Sequence, residues 1–252
     1  MKRVANRDFG WIMRKLRSQA SERGAAGMRK FGISGTDMLG VSVTELRLLA
    51  TDFGTHHETA LQLWSTGVHE ARLLAGIIEE PKKVSEAQAE AWLKDMDSWD
   101  LVDQTCLNVY SKMPNPFRRA RQWCEREKEF EKRTGFALIA CLAAFGKDKQ
   151  DQEFIDFLPQ IKKASTDERN FVKKAVNWAL RQIGKRNKKL HSKALACAKE
   201  IGEIDSPAAK WIASNAIKEL ERKDVVARIE EKQRSKGIVS GKKQPFVARA
   251  RH

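Results

Sequence analysis

Two segments of the sequence place tryptophan beside charged side chains at helical spacing. In the first, Trp99 and Asp103 are four residues apart, so both side chains lie on one face of a helix. In the second, Trp178 follows Lys174 at the same interval. A carboxylate next to apolar rings is costly to desolvate unless a positive group approaches it. The pattern therefore predicts a site for a cation, and the bases of the second segment predict that a polyanion carries it.

The first segment has two helical stripes when residues 99–110 are wound at about 100° per residue. One stripe is the expected core face and contains Leu101, Val102, Thr105 and Val109. The adjacent stripe contains Trp99, Asp103, Cys106 and Tyr110. Asp103 is the only charged member of either stripe, so it is the candidate for chemistry. A purely structural alternative is that Asp103 pairs with an arginine of a neighbouring helix.

The second segment, residues 171–185, has a broad apolar face with Trp178 at its edge. Three bases lie beside that tryptophan, namely Lys174, Arg181 and Lys185. Cations that neutralise phosphates next to an indole that packs on sugar or base suit a sugar-phosphate backbone. The alternative is a rim tryptophan covered by lysine stems.

A basic pair, Lys132 and Arg133, stands at the N-terminal side of an apolar run that ends near Phe145. Arg133 has two predicted roles, because its side chain can reach a phosphate or hold Asp103. Other basic stretches, at 118–121, 162–163 and 185–189, recur at about the spacing of the repeats. Such recurrence is what a basic stripe along a repeat protein produces.

The composition indicates a polyanionic partner. The chain has 252 residues and a net charge of +15, with 41% hydrophobic residues to build a core. Seven of the basic residues and no acidic ones lie in 232–252, so the remainder is still basic by +8. DNA, RNA and an anionic membrane surface all fit this charge. A solvated basic surface without a partner is the alternative.

Several kinds of chemistry are not expected. None of the four cysteines forms a C-x-x-C pair and the five histidines complete no ligand set, so neither a metal nor another cofactor is predicted. Each cysteine lies in a helical pattern among apolar residues, which suits reduced, partly buried thiols and favours a cytoplasmic protein. We find no signal-peptide pattern, no apolar run long enough to span a membrane, and no phosphate-binding loop or dinucleotide fingerprint.

Helical periodicity dominates the chain, and no segment is a convincing strand. The predicted helices cover 6–22, 43–53, 56–65, 69–79, 84–95, 98–111, 117–126, 129–145, 151–164, 167–185, 189–202, 207–222 and 224–235. They form successive pairs, 43–53 with 56–65, 129–145 with 151–164, and 167–185 with 189–202. A spacing of about 35–45 residues between pairs is typical of HEAT-like repeats, with a compact bundle as the alternative.

Local signals set the expected boundaries. Ser85 and Ser206 are predicted to cap helices, and Ser165 with Glu168 has the spacing of a capping box. The glycine-rich segment 23–41 is predicted to be a turn-rich connection anchored by Phe31 and Ile33. The domain is expected to end near residue 230, followed by a basic and disordered tail, 231–252.

Three motifs together resemble the AlkD-like DNA alkylation-repair glycosylases. They are Trp-Asp-x-x-Asp at 99–103, Lys-Arg-Thr-Gly-Phe-Ala at 132–137 and Phe-Val-x-Lys-Ala-x-x-Trp-x-Leu-Arg at 171–181. Weaker similarity occurs at 31–33, 45–50, 63–64 and 70–72, so the resemblance spans about residues 5–225. It implies an all-α solenoid of HEAT-like repeats with a basic concave face that holds duplex DNA.

The resemblance also implies an activity. Members excise positively charged N3- and N7-alkylated purines by hydrolysis of the N-glycosidic bond, and they work as monomers. By the same resemblance Asp103 is the catalytic carboxylate, Trp99 and Trp178 are aromatic walls, and Arg133 contacts phosphate. Lys132 departs from the arginine that is common at the first position of the basic pair.

Two other functions compete with a glycosylase. One is a non-catalytic member of the same fold that binds damaged or branched DNA. The other is a protein–protein scaffold, which the net charge of +15 disfavours for basic partners. Neither a scaffold nor a simple binder requires an acid among tryptophans.

Overall fold

Helices account for the regular structure in the part of the chain that the computed structural model describes, residues 8–33, 35 and 37–241. No strand occurs in these ranges. The helices are α1 (Phe9–Ser18), α2 (Glu22–Lys30), α3 (Val43–Phe53), α4 (His57–Ser65), α5 (His69–Ile78), α6 (Glu86–Lys94), α7 (Trp99–Asn108), α8 (Pro116–Cys124), α9 (Glu129–Phe145), α10 (Asp151–Ile155), α11 (Leu158–Ala164), α12 (Asn170–Gly184), α13 (Lys188–Gly202), α14 (Pro207–Leu220) and α15 (Lys223–Gly241). A short 3₁₀ turn, Tyr110–Lys112, follows α7.

Six helices form a continuous row in which each packs on the next: α3, α5, α7, α9, α12 and α14. A second layer flanks the row, with α4 against α5, α8 against α9 and α13 against both α12 and α14. This stack of helical pairs confirms the predicted α-solenoid. Two of the predicted pairings differ, because α9 packs on α8 and α12 rather than on 151–164, and α5 rather than α3 is the main partner of α4.

The close packing of α8 and α9 depends on Gly135. A Cβ atom at this position would lie 2.4 Å from the amide nitrogen of Cys124. Backbone cannot move aside as a flexible side chain can, so only glycine allows the two helices to approach this closely. The approach fixes the part of α9 that carries Lys132 and Arg133.

Two of the three predicted helix caps are present in the structure. The hydroxyls of Ser85 and Ser206 accept hydrogen bonds from the amides of Gln88 and Ala209, as predicted. The capping box of Ser165 with Glu168 is wrong, because α12 begins only at Asn170. The carboxylate of Glu168 instead accepts from the Ser206 hydroxyl and the Ala208 amide at the start of α14.

The N-terminal region contains more helix than predicted. The segment 23–41, expected to be turns, includes most of α2, which Ser21 caps through the amide of Gly24. Gly24 allows α2 to pack closely against the main chain at Gly40, because a Cβ on Gly24 would lie 2.1 Å from the carbonyl oxygen of Gly40. The buried carboxylate of Glu70 then accepts from the amides of Leu39 and Gly40, and it holds the segment against α5.

Two other boundaries differ from prediction. The expected helix 151–164 is broken into α10 and α11, because Pro159 lacks the amide hydrogen that a continuous helix would donate to the carbonyl of Ile155. At the C-terminus, α15 continues to Gly241, beyond the helix end predicted at residue 235, and the domain boundary near residue 230 stays a prediction. Residues up to 235 are mostly good helix formers and contain no proline. The rest of the predicted tail, 242–252, lies outside the described residues.

Candidate functional site

A cleft of about 330 Å³ lies on the row of helices, across α7, α9 and α12. Its lining combines four aromatic rings with one acid and two bases, namely Phe31, Trp99, Asp103, Arg133, Phe171, Lys174 and Trp178. The volume is at the lower end of ligand-binding pockets, roughly 300–1,000 Å³. The two tryptophan-containing segments singled out from the sequence therefore meet at one site.

The first turn of α7 supplies Trp99, and the next turn supplies Asp103. The indole Nε1 of Trp99 donates a 3.0 Å hydrogen bond to the main-chain carbonyl of Phe31. This bond spans 68 residues of sequence and connects the segment after α2 to the cleft. The polar edge of Trp99 is thereby satisfied, and its apolar faces remain available to the cleft.

Asp103 forms an ion pair with Arg133, with 2.7 Å between Oδ1 and Nη2. The other terminal nitrogen of Arg133 donates to the main-chain carbonyl of Phe171 at 2.9 Å. Only 6% of the arginine side chain is exposed, against 23% of the aspartate. Two roles were predicted for Arg133, and in the structure its side chain binds Asp103. Its contact with a phosphate stays a prediction.

The surroundings of Asp103 disfavour its charge. Burial raises the pKa of this carboxyl above its ordinary value, and the opposing effect of the Arg133 guanidinium does not fully offset the increase. The carboxylate is thus desolvated yet reachable. A group in this condition gains from a positive charge brought close to it.

Asp100, one turn earlier on α7, has a different environment. Its Oδ2 lies 2.9 Å from Nε2 of His69 in a buried pair. Burial raises the pKa of Asp100, but the hydrogen bond and the charge of His69 lower it more, so the pKa falls below its ordinary value. Asp100 does not line the cleft, and its role is to join α7 to α5.

Helix α12 forms the opposite wall through Phe171, Lys174 and Trp178. The intervals of three and four residues put these side chains on one helix face. With the side-chain amide of Gln182 oriented so that its oxygen faces the Trp178 indole and the Lys185 ammonium, the indole donates to that oxygen at 3.1 Å. Lys174 is exposed and forms no salt bridge with any residue in the described ranges. Its ammonium group is therefore available to an anion at the cleft.

The other two predicted bases of α12 are already paired. Arg181 and Lys185 both bind the carboxylate of Glu219 on α14, the lysine at 2.7 Å. Neither lines the cleft. Their contact with DNA stays a prediction, and it requires Glu219 to share or release them.

Lys132 points to a different part of the molecule. Its ammonium lies 3.4 Å from Asp167, in a polar pocket of about 160 Å³ that also contains Glu125 and Lys163. The structure therefore does not bring Lys132 to the cleft.

Two cleft residues were not among the predicted site residues. Phe171 was assigned to the apolar core face, although its spacing from Lys174 and Trp178 already places it on their stripe. Phe31 was expected to anchor its segment to the core, but the ring is 77% exposed and only Ile33 is buried. No periodicity in the sequence around Phe31 indicates the cleft.

Residues 8–33, 35 and 37–241 contain no group of three or more histidine, cysteine or acidic side chains arranged to hold a metal ion. The four cysteines are buried as free thiols. None of the helices described in these ranges has the length and apolar character needed to cross a membrane.

Comparison with known proteins gives a consistent set of similarities. An uncharacterized protein of Listeria innocua serovar 6a is 22% identical over 178 residues, which are 67% of this chain and 74% of that protein. A solved structure described as "A new family of proteins related to the HEAT-like repeat DNA glycosylases with affinity for branched DNA structures" is 23% identical. It superimposes with a TM-score of 0.70 over 82% of this chain and 93% of its own.

A further match is to a family. The profile of the family described as "DNA alkylation repair enzyme" matches residues 12–220, which include α3 to α14 and every residue of the cleft. The match agrees with the resemblance found in the three motifs of the sequence. The chain belongs to the DNA alkylation repair enzyme family.

Proposed function

We propose that this protein is a DNA glycosylase that excises positively charged N3- and N7-alkylated purines from duplex DNA. One observation carries the proposal: a desolvated yet accessible carboxylate, Asp103, lies in a cleft that Trp99 and Trp178 also line. The exposed Lys174 in the same cleft supplies a contact for the phosphate backbone. The protein acts without a cofactor and as a monomer.

The chemistry follows from the charge of the substrate. An N3- or N7-alkylated purine is cationic, so it departs as a neutral base when the bond from C1′ to the ring nitrogen breaks and the electron pair leaves with the base. Positive charge then develops on the deoxyribose. Asp103 stabilises that charge, because an anion held in a poorly solvated site interacts strongly with a cation.

Water completes the reaction. Its oxygen adds to C1′, and its proton passes to the Asp103 carboxylate and then to solvent, which leaves an abasic site. The raised pKa of Asp103 favours this proton transfer, because a weaker acid is a better base. Lys174 is proposed to bind phosphate rather than to attack C1′, so strand cleavage is not part of the reaction.

The lining of the cleft supports recognition through charge and sugar rather than through the edge of the base. It contains aromatic rings, one acid and two bases, but no amide or hydroxyl side chain. Enzymes that enclose a flipped base read it by hydrogen bonds to its Watson–Crick edge. We therefore expect a base that stays at least partly stacked, and a tolerance for adducts of different size.

A second function is favoured by one specific contact. Because Arg133 already holds Asp103 at 2.7 Å, the carboxylate is partly neutralised, as a purely structural ion pair would be. The solved relative is described as having affinity for branched DNA. A non-catalytic protein that binds branched or damaged DNA is therefore the alternative.

The test compares product formation with binding. Duplex DNA that contains 7-methylguanine or 3-methyladenine is incubated with the protein, and the free base and the abasic site are both quantified. Unmodified duplex and a four-way junction serve as binding controls. Base release with an equal yield of abasic sites supports the glycosylase. Tighter binding to the junction without base release supports the alternative.

A further inference from the structure

Phe31 is the most exposed of the large hydrophobic side chains in the described ranges, at 77%. Phe31 lines the cleft and is not part of the hydrophobic core. Exposed aromatic rings give up the free energy that burial would provide, so such a ring beside a binding site gains when a ligand covers it.

The main chain around Phe31 is held firmly even though the ring is exposed. The carbonyl of Phe31 accepts from the Trp99 indole, and its amide donates to the carbonyl of Met28 at 3.0 Å. The next residue, Gly32, has a φ of +77°, and a Cβ added there would touch the ring of Phe171 at 3.4 Å. The hydrogen bond from Trp99 thus ties the main chain of Phe31 to one wall of the cleft, and Gly32 lies beside the Phe171 ring of the other wall, so the Phe31 side chain starts from a fixed position at the cleft.

Unpaired positive charge precedes the ring. Arg29 and Lys30, in the last turn of α2, are exposed and form no ion pair with any residue that the structure describes. This differs from Arg181 and Lys185, which share Glu219. The end of α2 therefore offers two free cations next to an apolar ring, a combination that complements phosphate and base together.

We propose that Phe31 is a DNA-contacting residue whose ring stacks on a base of the strand that crosses the cleft. Arg29 and Lys30 bind phosphates of the same strand. The proposal rests on the proposed function only in that the ligand is DNA; it applies equally to an enzyme and to a non-catalytic binder. By this proposal the segment 23–41, which the sequence predicts to be a connection, contributes a second set of contacts to the DNA interface.

The test measures binding rather than cleavage. The wild type is compared with Phe31→Ala and Phe31→Trp on a duplex that contains a stable abasic-site analogue, with 2-aminopurine placed on either side of it. The matched control is Phe145→Ala, which removes a 63% exposed phenylalanine at the end of α9, outside the cleft. Thermal unfolding of each variant verifies the fold.

Phe31→Ala is expected to weaken binding about tenfold, as the loss of one base stack does, and to remove the change in 2-aminopurine fluorescence that the wild type causes. Phe31→Trp should preserve both, and Phe145→Ala should behave as wild type. The double variant Arg29→Gln/Lys30→Gln should make the slope of log K against log salt shallower by about two.

Equal affinity and fluorescence for Phe31→Ala and wild type, with an unchanged melting temperature, overturn the proposal. An equal loss in Phe145→Ala overturns it as well, because the effect would then be a general one of exposed rings. The proposed glycosylase stands or falls separately, since base release plays no part in these measurements.

Discussion

Two charged clusters meet on helix α9, and neighbouring residues connect to different ones. Arg133 joins Asp103 in the cleft, which we call the cleft cluster. Lys132 joins Asp167 in the polar pocket, which we call the outer cluster and which also contains Glu125, Lys163 and Gln160. Both clusters join a base of α9 to an acid outside that helix, Asp103 on α7 and Asp167 in the connection between α11 and α12, so their composition alone does not distinguish them.

The difference lies in the surroundings of the two acids. Burial raises the pKa of Asp103, and a single arginine does not offset it. Burial also raises the pKa of Asp167, but the hydrogen bonds from Arg169 and the charge of Lys132 lower it to below its ordinary value. Asp103 is thus an under-compensated anion among aromatic rings, whereas Asp167 is fully compensated.

The largest expected effect comes from exchanging the two acids for amides. Asp103→Asn should lower base release at least about 100-fold, because it removes the charge that stabilises the transition state. It should leave DNA binding within a few-fold of wild type. The matched control is Asp167→Asn, which we expect to reduce the melting temperature but not the rate per folded molecule. Comparable losses of rate in both variants would erase the distinction between the clusters.

The pH dependence should separate the same two acids. The pKa of Asp103 is raised above its ordinary value of 3.8, so base release should fall about tenfold per pH unit once the pH drops below that raised pKa. The native state keeps the Asp103 proton to higher pH than the unfolded chain does. The free energy of unfolding therefore falls as the pH rises from the ordinary pKa of the unfolded chain through the raised pKa of the native state. Asp167, with its lowered pKa, has the opposite sign: its contribution is lost as pH falls through the folded pKa.

The measurement is kcat/KM for base release against pH, with thermal unfolding of wild type and Asp167→Asn over the same range. A rate profile whose acid limb lies at or below pH 3.8 would show that Asp103 is not the group with the raised pKa that limits the reaction.

The helix shared by the clusters supplies the next prediction. Gly135→Ala should destabilise the fold by about 1–3 kcal/mol, because its Cβ would overlap the backbone of Cys124 and push α9 from α8. Gly27→Ala is the matched control, since a Cβ on Gly27 meets nothing within 4 Å and alanine favours the helix. Calorimetry should show a lower melting temperature for the first and an equal or higher one for the second; the reverse order would mean that α8 and α9 do not approach this closely.

The smallest expected effect concerns paired cations outside both clusters. Glu219→Gln should release Arg181 and Lys185 and strengthen DNA binding a few-fold at low salt. The slope of log K against log salt should steepen by up to about two, since each added phosphate contact releases counterions. Titrations at several salt concentrations check this. An unchanged slope would place these two bases outside the DNA interface.

Much of the fold could be predicted because it depends on local pattern. Apolar residues at helical spacing marked most of the helices, and the repeat of helical pairs indicated a solenoid. The errors arose where distant residues decide the structure. Segment 23–41 is partly helical because Gly40 and Glu70 support it, and Glu168 caps α14 instead of its own helix. Ser21 is a local capping signal for α2, but the contacts of Gly40, Glu70 and Glu168 join residues far apart in the sequence.

The candidate site was predicted in part for the same reason. Trp99 and Asp103 share a helix face, as do Lys174 and Trp178, and periodicity alone reveals both pairs. The ion pairs of Lys132 and Arg181 were not foreseen, because Asp167 and Glu219 lie 35 and 38 residues away, about one repeat further along the chain. Charge at a repeat interval therefore predicts an ion pair between repeats as readily as a free basic stripe.

The central claim is that the Asp103 carboxylate stabilises the developing sugar cation. The most direct measurement is the single-turnover rate of base release from a duplex with one 7-methylguanine, at enzyme concentrations that saturate the DNA, for wild type and Asp103→Asn. Saturation removes any difference in affinity, so the rates report the chemical step. We predict measurable release by wild type and a rate at least about 100-fold lower in the variant. Equal rates on fully bound DNA, or release by neither protein, would contradict this account.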